Sequence, residues 1–306
     1  MPGCPICETP LPPPAIVAPD RLHGSAGRFE VAVCGTCGAG RTFPEATLAE
    51  QASYYPAAYG PYEARRNPLV RVISWGIRTL QATLARRSAP LDALRERRPG
   101  RGVDVGAGRG DLSAMLAASG WQMTAVEPSP QACGVLRERG IDAREGVLAS
   151  VELEAGAYEM AVFQHSLEHV DDPVEDLRRI HRALAPEGLV LISVPHFGGW
   201  QARRFGGRWY HLDLPRHRVH FTREALRGAL ERAGFEVERV ETSTTPVGLP
   251  ASVQYRLAGR CLFPGGLKLQ VAAGLCALVL PFARVLDRLG GGGDVLHAVA
   301  RKPPRA

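Results

Sequence analysis

Val103-Asp104-Val105-Gly106-Ala107-Gly108-Arg109-Gly110 decides the reading of this 306-residue chain. A short strand pattern runs into three glycines spaced G-x-G-x-G. A helical pattern follows, with Leu112, Met115 and Leu116 at i, i+3 and i+4. Glycine lets the backbone bend sharply at the strand's end and lets a ligand approach the main chain. The helix start beyond it offers unpaired N–H groups to an anion. The spacing departs from the dinucleotide fingerprint G-x-G-x-x-G, and Asp104 is a second departure. A carboxylate there suits the amino group of an amino-acid-like ligand. Glu127 ends the next strand, 17 residues after Gly110, and suits a ribose diol.

Outward from this turn, strand and helix alternate from Arg101 onward, which predicts a parallel α/β sheet. Gly102–Val105, Met123–Val126, Tyr158–Phe163 and Leu189–Val194 are short runs of buried-strand type. Helices are expected over Asp111–Ser119, after Ser129-Pro130, after Asp172-Pro173, and from Thr222 to the stop at Gly234. Phe235–Glu241 and Val295–Ala300 read as the last two strands. An apolar helical insert over 242–293 lies between them.

Residues 101–241 resemble a class I S-adenosylmethionine-dependent methyltransferase. The likeness is carried by the glycine segment above, by Ala125-Val126-Glu127-Pro128, and by Ser166-Leu167-Glu168-His169-Val170-Asp171-Asp172-Pro173. Leu184-Ala185-Pro186-Glu187-Gly188-Leu189 is similar to the family's turn into its fifth strand. The resemblance implies a Rossmann-like seven-stranded sheet of order 3-2-1-4-5-7-6, with strand 7 antiparallel and S-adenosyl-L-methionine as cofactor. It places Gly106, Gly108 and Gly110 at the methionine moiety, Glu127 at the ribose and Pro128 beside the adenine, and Asp104 and Ala107 are counted with them as expected cofactor-binding residues. Gln164 and His165 fall at the edge where the methyl is delivered. Val147 stands where the family often has an acid near the adenine.

Methyl transfer from a sulfonium is an in-line displacement. The protein supplies alignment and, for a hydroxyl acceptor, a base. His titrates nearest neutrality, and His217, His169 and His211 are the candidates. His169 also reads as helix-entry packing beside Glu168. The loop from Arg203 to Arg223 carries six arginines, Trp209-Tyr210 and Asp213. Arg forks suit phosphate or carboxylate, Trp-Tyr suits a ring, and Asp213 could orient His211 or His217. A solvated basic loop is the plainer alternative. The expected reaction is O-methylation of a sugar-bearing or anionic small molecule. Sugar C-methylation, RNA methylation and a non-catalytic scaffold are the rivals. The Asn/Asp-Pro-Pro-aromatic motif of base amino-group methylation is missing, and the basic residues form no broad stripe, so nucleic acid is not expected.

Cys4-x-x-Cys7 and Cys34-x-x-Cys37, separated by 26 residues, suit a closed tetrahedral, structural zinc site. Two redox pairs are the alternative. The organisation is thus a zinc-ribbon-like module over 1–45, a helical linker or lid over 46–98 bearing Tyr54, Tyr55, Tyr59 and Tyr62, and a methyltransferase domain over 99–303. Hydrophobic residues at 45% and charged residues at 22% are globular values. A net charge of +6 permits an anionic partner without demanding nucleic acid. Met1-Pro2-Gly3-Cys4 lacks the basic start and apolar run of a secretory leader. Leu269–Ala283 is shorter than the roughly 20 residues that span a bilayer. A cytoplasmic location is expected, and the odd count of seven cysteines agrees. Residues 262–289 are read as a lid, a dimer contact or a peripheral membrane contact.

Overall fold

Two cysteine turns bracket the first strands. β1 (Ile16–Ala18), β2 (Phe29–Val33) and β3 (Gly40–Phe43) form an antiparallel meander in the computed structural model, which describes residues 2–55, 90–262 and 279–304. Tyr59, Tyr62, residues 69–89 of the Arg-rich stretch, and residues 263–278 of the apolar insert lie outside the described residues. α1 (Leu48–Ser53) follows, opened by a capping box between Thr47 and Glu50.

The alternation from residue 101 builds the main sheet. β4 (Arg101–Val105), α2 (Asp111–Ala118), β5 (Gln122–Glu127), α3 (Pro130–Glu138) and β6 (Asp142–Glu145) come first. β7 (Tyr158–Gln164), α4 (Pro173–Ala183) and β8 (Leu184–Pro195) follow. Past β8 come the short α5 (Trp200–Phe205), the two-residue β9 (Val219–His220), α6 (Arg223–Arg232), β10 (Glu236–Ser243), α7 (Gly248–Ala258) and β11 (Val295–Arg301). The helix starts are chemical. Ser129 Oγ accepts from Ala132 N–H, Asp172 Oδ1 from Glu175 N–H, and Thr222 Oγ1 from Ala225 N–H. Pro130 and Pro173 stand where no N–H is needed.

The seven strands lie in the order β10-β11-β8-β7-β4-β5-β6. β4, β5, β6, β7 and β8 are mutually parallel, and β11 is antiparallel to both β8 and β10. Written in the class I numbering, this is the order 3-2-1-4-5-7-6 with an antiparallel seventh strand. The parallel strands are covered on both faces and read as continuous apolar runs for that reason. Val103, Ala161, Val190 and Ile192 are fully buried.

The N-terminal module does not stand apart. β9, from the loop after β8, pairs with β3 and makes a second sheet of order β1-β2-β3-β9. A Cβ on Gly40 would come within 2.9 Å of Val31 and 3.1 Å of His220, so only glycine lets these strands meet. Ile6, Leu11 and Ala39 share one core cluster with Phe221, Leu226, Leu230 and the strand residues Val190 and Ile192. Thr42 donates its hydroxyl to the His217 carbonyl at 2.7 Å, and Thr222 donates to the Cys37 carbonyl at 2.8 Å.

Candidate cofactor and acceptor site

β4 sits mid-sheet, and its C-terminal end opens into the glycine turn. Gly106, Gly108 and Gly110 have φ of +71°, +54° and +77°, a region that L side chains rarely enter. A Cβ on Gly106 would stand 2.5 Å from Ser166 Cβ, and one on Gly110 would stand 2.2 Å from Leu136 Cδ2. The first glycine therefore lets the turn touch the loop after β7. The third seats the start of α2 against α3. Ser166 fixes the first contact by donating its hydroxyl to the Val105 carbonyl at 2.6 Å.

Glu127 ends β5 beside this turn and is 2% exposed. Gly108 N–H donates to its Oε2 at 2.8 Å, and Ser129 N–H donates to its Oε1 at 2.9 Å. Each carboxylate oxygen keeps a further acceptor position. A vicinal diol can therefore be received there, as the ribose of S-adenosyl-L-methionine requires. Burial raises the Glu127 carboxyl above its usual range, against the two N–H bonds. Asp104 lies beneath the turn, fully buried. It accepts from Ser113 Oγ at 2.6 Å and so ties β4 to α2. Burial pushes its carboxyl up to about 6. It thereby supports the glycine turn from beneath. Ala107 and Pro128 flank Glu127 and Gly108 on the two turns, and Pro128 is exposed.

The loop after β7 closes the same edge. Gln164 and His165 are exposed, and His165 has φ of +54°, rare for a residue with a side chain. His165 N–H donates to the Ser193 carbonyl of β8 at 2.8 Å. Glu168, three residues on, is buried, and its Oε1 lies 3.5 Å from His165 Nδ1 and 3.9 Å from His217 Nε2. His169 packs edge-on to His217 with ring centroids 4.8 Å apart, and its Nδ1 lies 3.0 Å from the Arg216 carbonyl and 2.9 Å from the Tyr55 hydroxyl. Burial, with the neighbouring His169 and His220, holds His217 well below the usual imidazole range.

The loop after β8 places its residues differently from their expected roles. Arg216, fully buried, donates to Asp20 at 2.8 and 2.9 Å and to Asp213 at 2.6 Å. Arg218 is held by Asp171 and the Pro44 carbonyl, and Arg223 by the Val240 carbonyl. These arginines satisfy the protein's own acceptors and are not open to an anion. Arg204 and Arg208 are the exposed ones beside Arg203. Trp209 is 1% exposed and belongs to a core cluster with Ala18, Phe29 and Leu214, so it offers no stacking face. Asp213, engaged by Arg216, orients neither histidine closely. Its Oδ2 lies 3.8 Å from His217 Nε2.

The acid that holds His211 is Asp294, at the entry to β11. His211 Nε2 lies 3.1 Å from Asp294 Oδ2, and Thr245 donates its N–H and hydroxyl to the same carboxylate at 2.7 and 2.6 Å. The carboxylate has no solvent exposure, and the His211 side chain keeps 11%. A Cβ on Gly248 would stand 1.8 Å from Asp294 Oδ2, so glycine there makes room for the pair. With Nε2–H donated to Asp294, His211 keeps its lone pair on Nδ1. The Asp294 carbonyl accepts from His196 N–H at 2.9 Å, which sets the pair at the C-terminal end of β8. The glycine turn and Gln164 occupy the ends of β4 and β7 on the same sheet edge, where ligands of open α/β sheets bind.

A methyltransferase-domain family (Methyltransf_23) matches residues 74–240, just over half of the chain. The chain belongs to this methyltransferase family. It is 34% identical over 100 residues to the ubiquinone biosynthesis O-methyltransferase of Xanthomonas oryzae pv. oryzae (strain PXO99A), covering 30% of this chain and 42% of that protein. It is 33% identical over 109 residues to the protein of that name from Xanthomonas campestris pv. campestris (strain B100), covering 33% and 46%. The match thus spans less than half the length of these relatives. A SAM-dependent methyltransferase structure from Archaeoglobus fulgidus shares the fold, with a TM-score of 0.50, 18% identity, and coverage of 74% of this chain and 94% of that one.

The chain's four N-terminal thiols converge. Cys4 and Cys37 Sγ lie 3.5 Å apart, Cys7 and Cys34 3.5 Å, and Cys7 and Cys37 3.7 Å. Bonds of about 2.3 Å to a tetrahedral zinc place thiolates at roughly this separation. Ile6 and Thr36 N–H point at Cys4 and Cys34 Sγ. Four close thiols with N–H donors aimed at sulfur fit a zinc ion, which they would hold by thiolate bonds alone. Such a closed set is structural.

Proposed function

We propose that this methyltransferase methylates a hydroxyl oxygen of a small-molecule acceptor, with His211 as the base and Asp294 as its orienting acid. The His211–Asp294 pair at the cofactor edge of the sheet is the observation that carries this reading. The O-methyltransferase names of the partial relatives support a hydroxyl acceptor. When bound, S-adenosyl-L-methionine supplies an electrophilic sulfonium methyl. The chain's own residues do the rest. Glu127 receives the ribose diol, and the glycine turn leaves the ligand close to main-chain atoms. His211 Nδ1 accepts the hydroxyl proton, while Asp294 holds the tautomer and stabilises the imidazolium. Arg204 and Arg208 are the groups that would meet an anionic or sugar-phosphate portion of the acceptor.

We assign a structural zinc to Cys4, Cys7, Cys34 and Cys37 and a cytoplasmic setting, since free thiols of this kind persist where disulfides are reduced. Among the described residues no helix is long and apolar enough to cross a membrane. Phe282, Val285 and Leu289, at 61%, 53% and 82% exposure, form the described part of a surface suited to peripheral contact with lipid.

Single-turnover methylation of a candidate hydroxyl metabolite tests the base. His211→Ala is expected to lower the rate at least 100-fold and Asp294→Asn at least tenfold, with S-adenosylhomocysteine affinity unchanged. A loss below tenfold in His211→Ala removes it from the chemistry.

A further inference from the structure

Among the described residues, Glu168 is the one carboxylate whose two oxygens are both buried and both without a hydrogen-bond partner. It is 1% exposed. Among the described residues, the basic side-chain nitrogens within 4 Å of it are His165 Nδ1 at 3.5 Å and His217 Nε2 at 3.9 Å, and neither makes a hydrogen bond to it. A buried anion in that state calls for a cation. Two imidazoles stand beside it, each with Nδ1 at a backbone carbonyl. His217 Nδ1 lies 2.9 Å from the His211 carbonyl, and His169 Nδ1 lies 3.0 Å from the Arg216 carbonyl. A carbonyl only accepts, so His217 Nδ1 carries the proton and its Nε2 keeps a lone pair, whereas His169 Nδ1 also meets the Tyr55 hydroxyl at 2.9 Å, which can donate or accept. Metal-bound histidines are held in this manner, their second nitrogen donating to a carbonyl or carboxylate. One donor atom from each of Glu168, His169 and His217 lies within 4.8 Å of the other two.

We propose that Glu168, His169 and His217 bind one divalent transition-metal ion of the zinc class, separate from the four-cysteine site. Two nitrogens and one oxygen suit zinc, cobalt, nickel or iron(II) better than magnesium. Bonds of about 2.1 Å set donor atoms roughly 3–4 Å apart, so the ion draws the three together by about 1 Å. Three protein ligands leave positions open to water or to an oxygen of a bound molecule. The ion ties the turn bearing Gln164 and His165 to the loop bearing His211, which links cofactor side and acceptor side. The inference is independent of which acceptor is methylated and of the role given to His211.

The test uses the full, untagged chain, stripped by a chelator and titrated with Co²⁺ under reducing conditions. Thiolate coordination gives intense sulfur-to-metal charge-transfer bands. The nitrogen–oxygen site gives weak ligand-field absorption alone. A second equivalent of the weak class is expected, abolished in both Glu168→Gln and His217→Gln, with S-adenosylhomocysteine binding retained as the control for folding. Should either variant fail that control, His169→Gln, on a half-exposed residue, is read in its place. Saturation of the wild-type chain without the weak class, or its persistence in the folded variants, overturns the proposal.

Discussion

Asp104 is buried beneath the glycine turn and ties β4 to α2 through Ser113. Burial holds its carboxyl up at about 6, above the ordinary aspartate range. The folded protein therefore holds this proton more tightly than the unfolded chain. Stability falls as pH rises from about 4 to about 6, and the penalty is complete above that. Asp104→Asn removes the titration and keeps an acceptor for Ser113. Urea unfolding should show the variant gaining on the order of 2–3 kcal/mol over wild type at pH 7.5 and little at pH 4. An equal difference at both pH values would mean that Asp104 is uncharged or otherwise paired. The glycines and Glu127 were legible because their chemistry sits within one strand-turn-helix unit. Asp294 was not, because it meets His211 only through the β8–β11 pairing, and no local pattern marks that meeting. Glu168 was visible only as a neighbour of His169; its lack of partners is a three-dimensional fact.

At the scale of elements, β4, β5, β7, β8, β10 and the capped helices between 101 and 241 were legible because period and cap chemistry are local. β6 and β9 escaped. β9 has two residues and exists only because β3 offers an edge, and β6 is a short strand whose Asp142, Arg144 and Glu145 disguise it. The loop from Arg203 to Arg223 was read as basic and open. It is instead pinned by Arg216, whose guanidinium bridges Asp20 of the N-terminal module and Asp213 of the loop, with no solvent exposure. Asp20 is consequently held well below the usual carboxylate range despite its burial. Arg216→Ala leaves that acid buried without a counter-charge and should cost about 3–5 kcal/mol in chemical unfolding at pH 7. Because a depressed carboxyl contributes stability that is present above its unfolded pKa and lost on acidification, the difference from wild type should shrink below pH 4. A cost under 1 kcal/mol would show that the bridge is dispensable.

At the scale of the whole molecule, the boundary at residue 45 is a boundary in sequence and not in packing. The cysteine module shares a hydrophobic cluster with α6 and the main sheet, and β9 completes its small sheet. Loss of the proposed zinc should therefore be felt by the main sheet and its helices. Calorimetric scanning after chelation, or of Cys34→Ser, is expected to give one cooperative transition at lower temperature. An unchanged main transition beside a separate low-temperature loss would mean that the module unfolds alone.

Isothermal titration with S-adenosylhomocysteine bears most directly on the pocket formed by the glycine turn and Glu127. One site per chain is expected, with the affinity of Glu127→Ala reduced at least tenfold, as loss of charge-assisted bonds to a diol requires. No heat with the wild-type chain, or equal affinity in the variant, would contradict it.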